Sequence, residues 1–348
     1  MAVEPHDAAM KVIYYRSQNG NFGDDLNSVL WKAVLRPACF EADDAVLLGI
    51  GSIFREDFLS AAATDRKRVF VLGSGAGTGP LPRRWPNADW AVLGVRGPLT
   101  ARVIGQPSAA ITDSAALLAT APKLAPVKRK RGDIVFMPHY NSVEHSRWPD
   151  ICRRLGMTFV DARGPVDRTL DRIAGAKLVL TEAMHGAIVA DTLRVPWMPV
   201  LCSPAILPFK WVDWTRSLEL DFRPLALPPS SAWEALKHAK IRTVDGGDGM
   251  YGLSESDDAL IDDFFRRYGR MEPDDLAPRK IVSGGQAKVL RRIVSAFDRV
   301  FAERAGHVLL AASRGRSFLS ADRLFTQRVD QLHAAAMTLE RAIVGTMH

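Results

Sequence analysis

In TEAMHGAIVADTLRVPWMPV (181–200) an acid, Glu182, and an imidazole, His185, stand at the mouth of an otherwise apolar strand-turn-helix stretch. A second histidine, His139, follows another apolar run in DIVFMPHYNS (133–142). Histidine is the side chain whose ordinary pKa lets it move protons near neutral pH. One histidine at a strand end is ordinary structure; two of them, each after an apolar run in the same half of the chain, point to proton transfer. NGNFGDDLN (19–27) adds a turn built on Gly20 and Gly23, followed by Asp24 and Asp25. Either acid can cap the helix that starts there. The second is left over, as is Asn21, which could hold a hydroxyl or phosphate at the helix start.

Cations complete the set. In GVRGPLTA (94–101) Arg96 ends a strand and offers a planar fork to a carboxylate or phosphate, with a structural ion pair as the competing role. Lys210 lies between Phe209, Trp211 and Trp214 in SPAILPFKWVDWTRSL (203–218), a partly apolar setting suited to an anionic ligand. In TDSAALL (112–118) Asp113 reads as a helix cap or a cleft acid. No HExxH and no carboxylate cluster indicates a metal. The glycine-rich GSGAGTGP (73–80) is not a dinucleotide fingerprint, because Pro80 and Pro82 follow at once and no acid stands about twenty residues on to hold a ribose. Its glycines permit close backbone approach, as in a loop lining a cleft.

These residues need strands and turns to hold them. KVIYY (11–15), AVLLGIGS (45–52), RVFVLGSGAG (68–77) and WAVLGVRGP (90–98) are short apolar runs, three of them closing on Gly, the pattern of parallel strands covered on both faces. APKLAPVKRKRGD (121–133) reads as a linker from its prolines and charge run. The α/β rhythm then restarts through DIVFMPHY, MTFVDA, KLVLTEAMHG and, after Pro196, WMPV. The expectation is two doubly wound, Rossmann-like α/β domains, 11–125 and 126–280, facing each other across a cleft, with ligands at the carboxyl ends of the strands. A third segment, 281–348, carries two amphipathic helical stretches.

Composition agrees with this plan. The 348 residues suffice for about two domains with cores of their own, and 47% hydrophobic with 24% charged residues is ordinary for a folded globular chain. Of the net charge of +7, the segment 281–348 supplies +5, with ten Lys/Arg against five Asp/Glu. That basic face packs on the core or a second subunit, or meets anionic lipid; nucleic acid is not an expected partner. No run reaches the about 20 apolar residues of a membrane span, and MAVEPHDAAM has no secretory pattern. Three scattered cysteines without CxxC argue against disulfides or structural zinc and for a reducing cytoplasm.

Taken in order, NGNFGDDLN, GIGS, GVRGPLTA, TDSAALL, MPHY, TEAMHGAIVADTLRVP and FKWVDW resemble the polysaccharide pyruvyl transferase family, closest to its exopolysaccharide ketal-forming branch, over about residues 11 to 220. The resemblance implies a GT-B-like fold. It also implies phosphoenolpyruvate as donor substrate, a lipid-linked sugar diol as acceptor, a cyclic ketal as product, and no metal or nucleotide cofactor. Arg96 and Lys210 would hold the donor, with His139 and Asn21 nearby. His185 would protonate the donor's methylene carbon, and Asp24, Asp25 or Glu182 would serve as base. The expected setting is the cytoplasm, with visits to the inner membrane's cytoplasmic face. Many members of the family carry Ser-Arg where this chain has Glu182-Ala183, so another cation is needed here; Arg55, Arg102 and Arg216 are the candidates. The competing functions are a sugar-nucleotide glycosyltransferase of the same architecture and a non-catalytic sugar- or lipid-binding protein.

Overall fold

The structure, a computed structural model, describes residues 10–61, 67–83, 85–86, 89–124, 126, 132–244, 256–270 and 292–345. The apolar runs become parallel strands. β1 (Lys11–Ile13), β2 (Ala45–Leu48), β3 (Arg68–Ser74) and β4 (Trp90–Val95) form one sheet in the order β1-β2-β3-β4. β5 (Asp133–Met137), β6 (Thr158–Phe159), β7 (Ala176–Thr181), β8 (Trp197–Leu201) and β9 (Leu225–Ala226) form the other, in the order β6-β5-β7-β8-β9. All named neighbours pair in parallel, with Leu47 opposite Phe70 and Leu180 opposite Met198. Val46, Leu47 and Leu48 are wholly buried, as are Val71 and Leu72. Coverage on both faces is why these strands are continuously apolar rather than alternating. The protein is thus a mixed α/β structure with parallel sheets and helices.

The second sheet has a consequence for function. From β5 the chain winds outward to β6, then returns to place β7 on the other side of β5. Two connections leaving in opposite directions open a crevice at the carboxyl ends of β5 and β7, the place where open α/β sheets bind ligands. His139 follows β5 and Glu182 to His185 follow β7, so both histidine motifs flank that switch point.

Both amphipathic stretches of the C-terminal segment form helices that pack inward. The helix Asp298–Ala312 lies on the helix Trp148–Leu155 and buries Ala305 and Leu309. The helix Asp322–Val344 returns to the first sheet, where it contacts β3, β4 and the 3₁₀ helix Ser114–Thr120 and buries Leu332, Leu339 and Ile343. Arg68 donates to the Ala342 carbonyl at 2.8 Å and Arg36 pairs with Glu340 at 3.0 Å, fastening its far end. The expected linker's basic cluster (128–131) and the start of the C-terminal segment (281–291) lie outside the described residues, as do the boundary positions 125 and 280.

Candidate functional site

At the switch point a cavity of about 390 Å³ is lined by residues that follow β1, β2 and β3 of one sheet and β5, β7 and β8 of the other. Asn21, Asp24, Arg55, His139, His185 and Lys210 supply its chemistry. The two acids of NGNFGDDLN divide their labour. Asp25 accepts the Asn21 backbone N–H at 3.0 Å, a capping bond at the helix start, and it is not among the cavity-lining residues. Asp24 points inward, accepts a hydrogen bond from the Asn21 side-chain amide and is 8% exposed. Burial pushes its carboxyl up to about 6, against the pull of His185 and Lys210. Its carboxyl can therefore exchange a proton near neutral pH.

His185 is the second residue of the helix Met184–Thr192. Its Nδ1 edge lies so close to Gly23 that a Cβ there would come within 2.0 Å of the nitrogen, which gives the glycine of the NGNFG turn its reason. Its Nε2 lies 3.6 Å from Oδ2 of the buried Asp113. Ala183 occupies the N-cap position of this helix, and a methyl group cannot accept a hydrogen bond from the first-turn N–H groups. Ala183, Met184 and His185 all line the cavity, so the uncapped positive end of a helix faces it.

Glu182 does not have a base's freedom. Its Oε1 accepts the N–H groups of Cys202 and Ser203, each at 2.7 Å, and its Oε2 accepts that of His139 at 3.0 Å. Fully buried, it is a strut joining the loops after β5, β7 and β8. Burial raises its pKa, and the hydrogen bonds oppose the rise. His139 is held by that strut through its backbone, and its ring packs on Tyr140 with centroids 4.2 Å apart and the planes tilted by 38°. Burial and the neighbouring Lys210 lower its pKa to about 3, so the ring is neutral at physiological pH and offers hydrogen bonds rather than charge. Nδ1 accepts the Asn141 N–H at 3.3 Å, which leaves the ring proton on Nε2.

Lys210 is the third residue of the helix Pro208–Ser217. Trp211 and Trp214 anchor that helix against Trp197, with ring centroids 6.3 and 5.1 Å away, and the lysine is turned to the cavity. Burial and the nearby Arg96 lower its pKa to about 8, partly offset by Asp24. Its ammonium makes no hydrogen bond or ion pair among the described residues.

Arg96 departs from the expectation that it binds the donor. Wholly buried, it donates from Nε to Asp213 at 3.0 Å, and its two terminal nitrogens reach the Ser52 hydroxyl and the Ala76 carbonyl, both at 2.7 Å. It is absent from the cavity lining. Of the three alternative cations, Arg102 and Arg216 form exposed pairs elsewhere, with Asp258 and Asp221. Arg55 lines the cavity, clamped on Asp57 at 2.7 and 2.9 Å and on the Thr78 hydroxyl at 2.6 Å. The loop GSGAGTGP explains itself through these cations. A Cβ at Gly75 would come within 2.2 Å of the Arg96 guanidinium carbon, one at Gly77 within 2.8 Å of Lys210, and one at Gly79 within 2.8 Å of Arg55. Its alternate glycines make room for three basic side chains.

Arg55, Asp113 and Asp213 therefore matter more than the sequence motifs indicated. Among the described residues no group of three or more His, Cys, Asp and Glu is placed to hold a metal ion.

The profile of one family, described as polysaccharide pyruvyl transferase, matches residues 7–204. The chain belongs to that family. It is also 38% identical, over 240 residues, to the succinoglycan biosynthesis protein ExoV of Rhizobium meliloti (strain 1021), an alignment covering 68% of this chain and 74% of that protein. Family membership makes the protein a pyruvyl transferase. The span matched by the pyruvyl transferase family takes in Asp24, Asp113, Glu182 and His185, and the helix that carries Lys210 follows it directly.

Proposed function

We propose that the protein transfers the pyruvyl group of phosphoenolpyruvate to two hydroxyls of one sugar in an exopolysaccharide repeat unit, forming a cyclic ketal and releasing inorganic phosphate. The carrying observation is the meeting of three groups in one cavity: the His185 imidazole, the Asp24 carboxyl and the unpaired Lys210 ammonium. We read the two sheets as two Rossmann-like units in a GT-B-like arrangement, with this cavity as the cleft between them.

The donor carries about three negative charges on a few atoms, and in a water-poor site each opposing charge counts for more than it does in bulk solvent. Lys210, the outer edge of Arg55 and the uncapped helix at Ala183 supply the opposing field. His185 protonates the donor's methylene carbon with the electrons of the C2–C3 double bond, leaving C2 electrophilic. One sugar hydroxyl then adds to C2, phosphate departs, and the second hydroxyl adds in its place. Of the two hydroxyl protons, one restores the acid that made the methyl group and the other leaves with phosphate. Asp24 is the base that receives them, and Glu182 and Asp25 keep the structural roles their hydrogen bonds give them. The chemistry calls for no metal and no nucleotide.

The acceptor of this reading is lipid-linked, met by a cytoplasmic protein at the membrane surface. No helix of the described residues is long and apolar enough to cross a membrane. Ile293, Phe297 and Val300, 63%, 62% and 68% exposed, make an apolar stripe at helical spacing beside the exposed Arg292 and Arg299, which suits peripheral contact with anionic lipid.

The deciding experiment measures phosphate release from phosphoenolpyruvate with and without a lipid-linked or synthetic oligosaccharide acceptor. Acceptor-dependent release is expected. Its absence with every acceptor tried, together with tight binding of a sugar nucleotide, would overturn the reading. Flotation with anionic vesicles tests the membrane contact, and replacing Ile293, Phe297 and Val300 by serine is expected to abolish it.

A further inference from the structure

The geometry points to Asp113 as the positioning residue of His185: it holds the imidazole in the Nε2–H form and so directs proton delivery through Nδ1. The inference rests on the pyruvyl transfer reading for what the proton does, but its structural basis is independent. Asp113 is fully buried at the start of the 3₁₀ helix Ser114–Thr120. Its Oδ1 accepts the Ala115 N–H at 2.9 Å, and that bond alone completes the cap. Its Oδ2 is also buried, yet it has no hydrogen-bond partner, and the same holds for Nε2 of His185. These two orphaned atoms face each other at 3.6 Å. A buried polar atom without a partner is costly, and two complementary ones side by side satisfy each other with a small ring rotation.

The opposite edge of the ring settles the direction of transfer. Nδ1 lies close against Gly23, whose missing side chain gives the ring its room, and both residues line the cavity, whereas Nε2 is buried against Asp113. In the step itself the ring starts as the imidazolium, with a proton on each nitrogen; its Nδ1–H bond breaks, a C–H bond forms at the donor's methylene carbon, and the neutral Nε2–H form is left. The imidazole keeps its Nε2 proton, which Asp113 accepts in hydrogen bonding. Nδ1 is then the free basic nitrogen and is reprotonated from an acceptor hydroxyl by way of Asp24. With the other tautomer the ring would present Nδ1–H at the start and would have to become an anion to give it up.

Two substitutions separate the cap from the carboxylate. Asp113→Asn and Asp113→Ser each retain an oxygen for the Ala115 N–H and remove the acceptor charge that faces Nε2. Both are expected to lower kcat by about 10²- to 10⁴-fold, the scale seen when a catalytic histidine is left in the wrong tautomer, with donor KM changed less than about threefold. ¹⁵N-histidine spectra of the full chain, assigned with His185→Gln, are expected to show neutral His185 as the Nε2–H tautomer in the parent and as Nδ1–H in Asp113→Asn. A parent spectrum with the proton on Nδ1, or full kcat in both folded variants, overturns the positioning role. A tautomer switch in a protein with no pyruvyl transfer would support Asp113's role and defeat the reaction assigned to the site.

Discussion

Arg96 and Asp213 form a wholly buried ion pair, Nε to Oδ2 3.0 Å, that ties the turn after β4 to the helix carrying Lys210. Asp213 also accepts the N–H and hydroxyl of Thr100, at 2.9 and 2.6 Å, so both carboxylate oxygens and each guanidinium nitrogen have a partner. Removing one partner strands the other charge in the interior, at about 3–5 kcal/mol. Arg96→Met is therefore expected to lower the Tm sharply, or to leave the protein insoluble, while any folded fraction keeps its donor KM within a few-fold. Arg55→Met should do the reverse, with a small change in Tm and a raised donor KM. Thermal melts and donor titrations of the two variants check this contrast.

The pH dependence of kcat/KM follows from two groups. Asp24, near 6, must be ionised to accept a proton, so activity rises with pH through about 6. Lys210, near 8, must be charged to hold the donor, so activity falls as pH rises through about 8. A bell between these values is expected. Lys210→Arg should remove the alkaline limb, since an arginine stays protonated. A falling limb at pH 8 in that variant would assign the limb to another group.

Asp24 also weighs on stability. Its folded value lies above the ordinary value of 3.8, so between about pH 4 and 6 the folded state binds more protons than the unfolded one. Stability accordingly falls as pH rises through that window, and the penalty is complete above 6. At 1.36 kcal/mol per pKa unit it amounts to about 1–3 kcal/mol. Asp24→Asn is expected to raise the Tm by a few degrees at pH 7.5, with little gain at pH 4, while losing most pyruvyl transfer. A lower Tm at pH 7.5 would show that the ionised carboxylate is net stabilising.

Ala183 stands where most helices place a capping side chain. Ala183→Ser supplies the missing oxygen and should stabilise the helix by about 1 kcal/mol. The new cap competes with the donor for the same N–H groups, so donor KM is expected to rise several-fold as Tm rises. An unchanged KM would place the donor's anionic groups away from this helix.

Much of this was legible in the residues. β2, β3, β5 and β7 announce themselves as unbroken apolar runs, because strands covered on both faces leave no alternation to obscure them. His185, Asp24 and Lys210 carry their chemistry in their type. What stayed hidden was pairing across distance. Arg96 reads equally as a donor ligand or as half of a structural ion pair, because the partner that decides it lies 117 positions on. Glu182 looked like a base because its partners are backbone N–H groups at His139, Cys202 and Ser203, and every residue but proline carries one. Asp113 and His185 meet only because the 3₁₀ helix Ser114–Thr120 packs against the helix Met184–Thr192.

The helix Asp322–Val344, which covers β3 and β4, is translated after every strand it shelters. A nascent chain must therefore carry part of its first sheet bare through most of synthesis, with the apolar side of that sheet open to chaperones or to other chains. Completion of the first sheet waits on a helix made after both sheets. A ribosome-stalled intermediate ending before residue 322 should be protease-sensitive in its first sheet, whatever the state of the second.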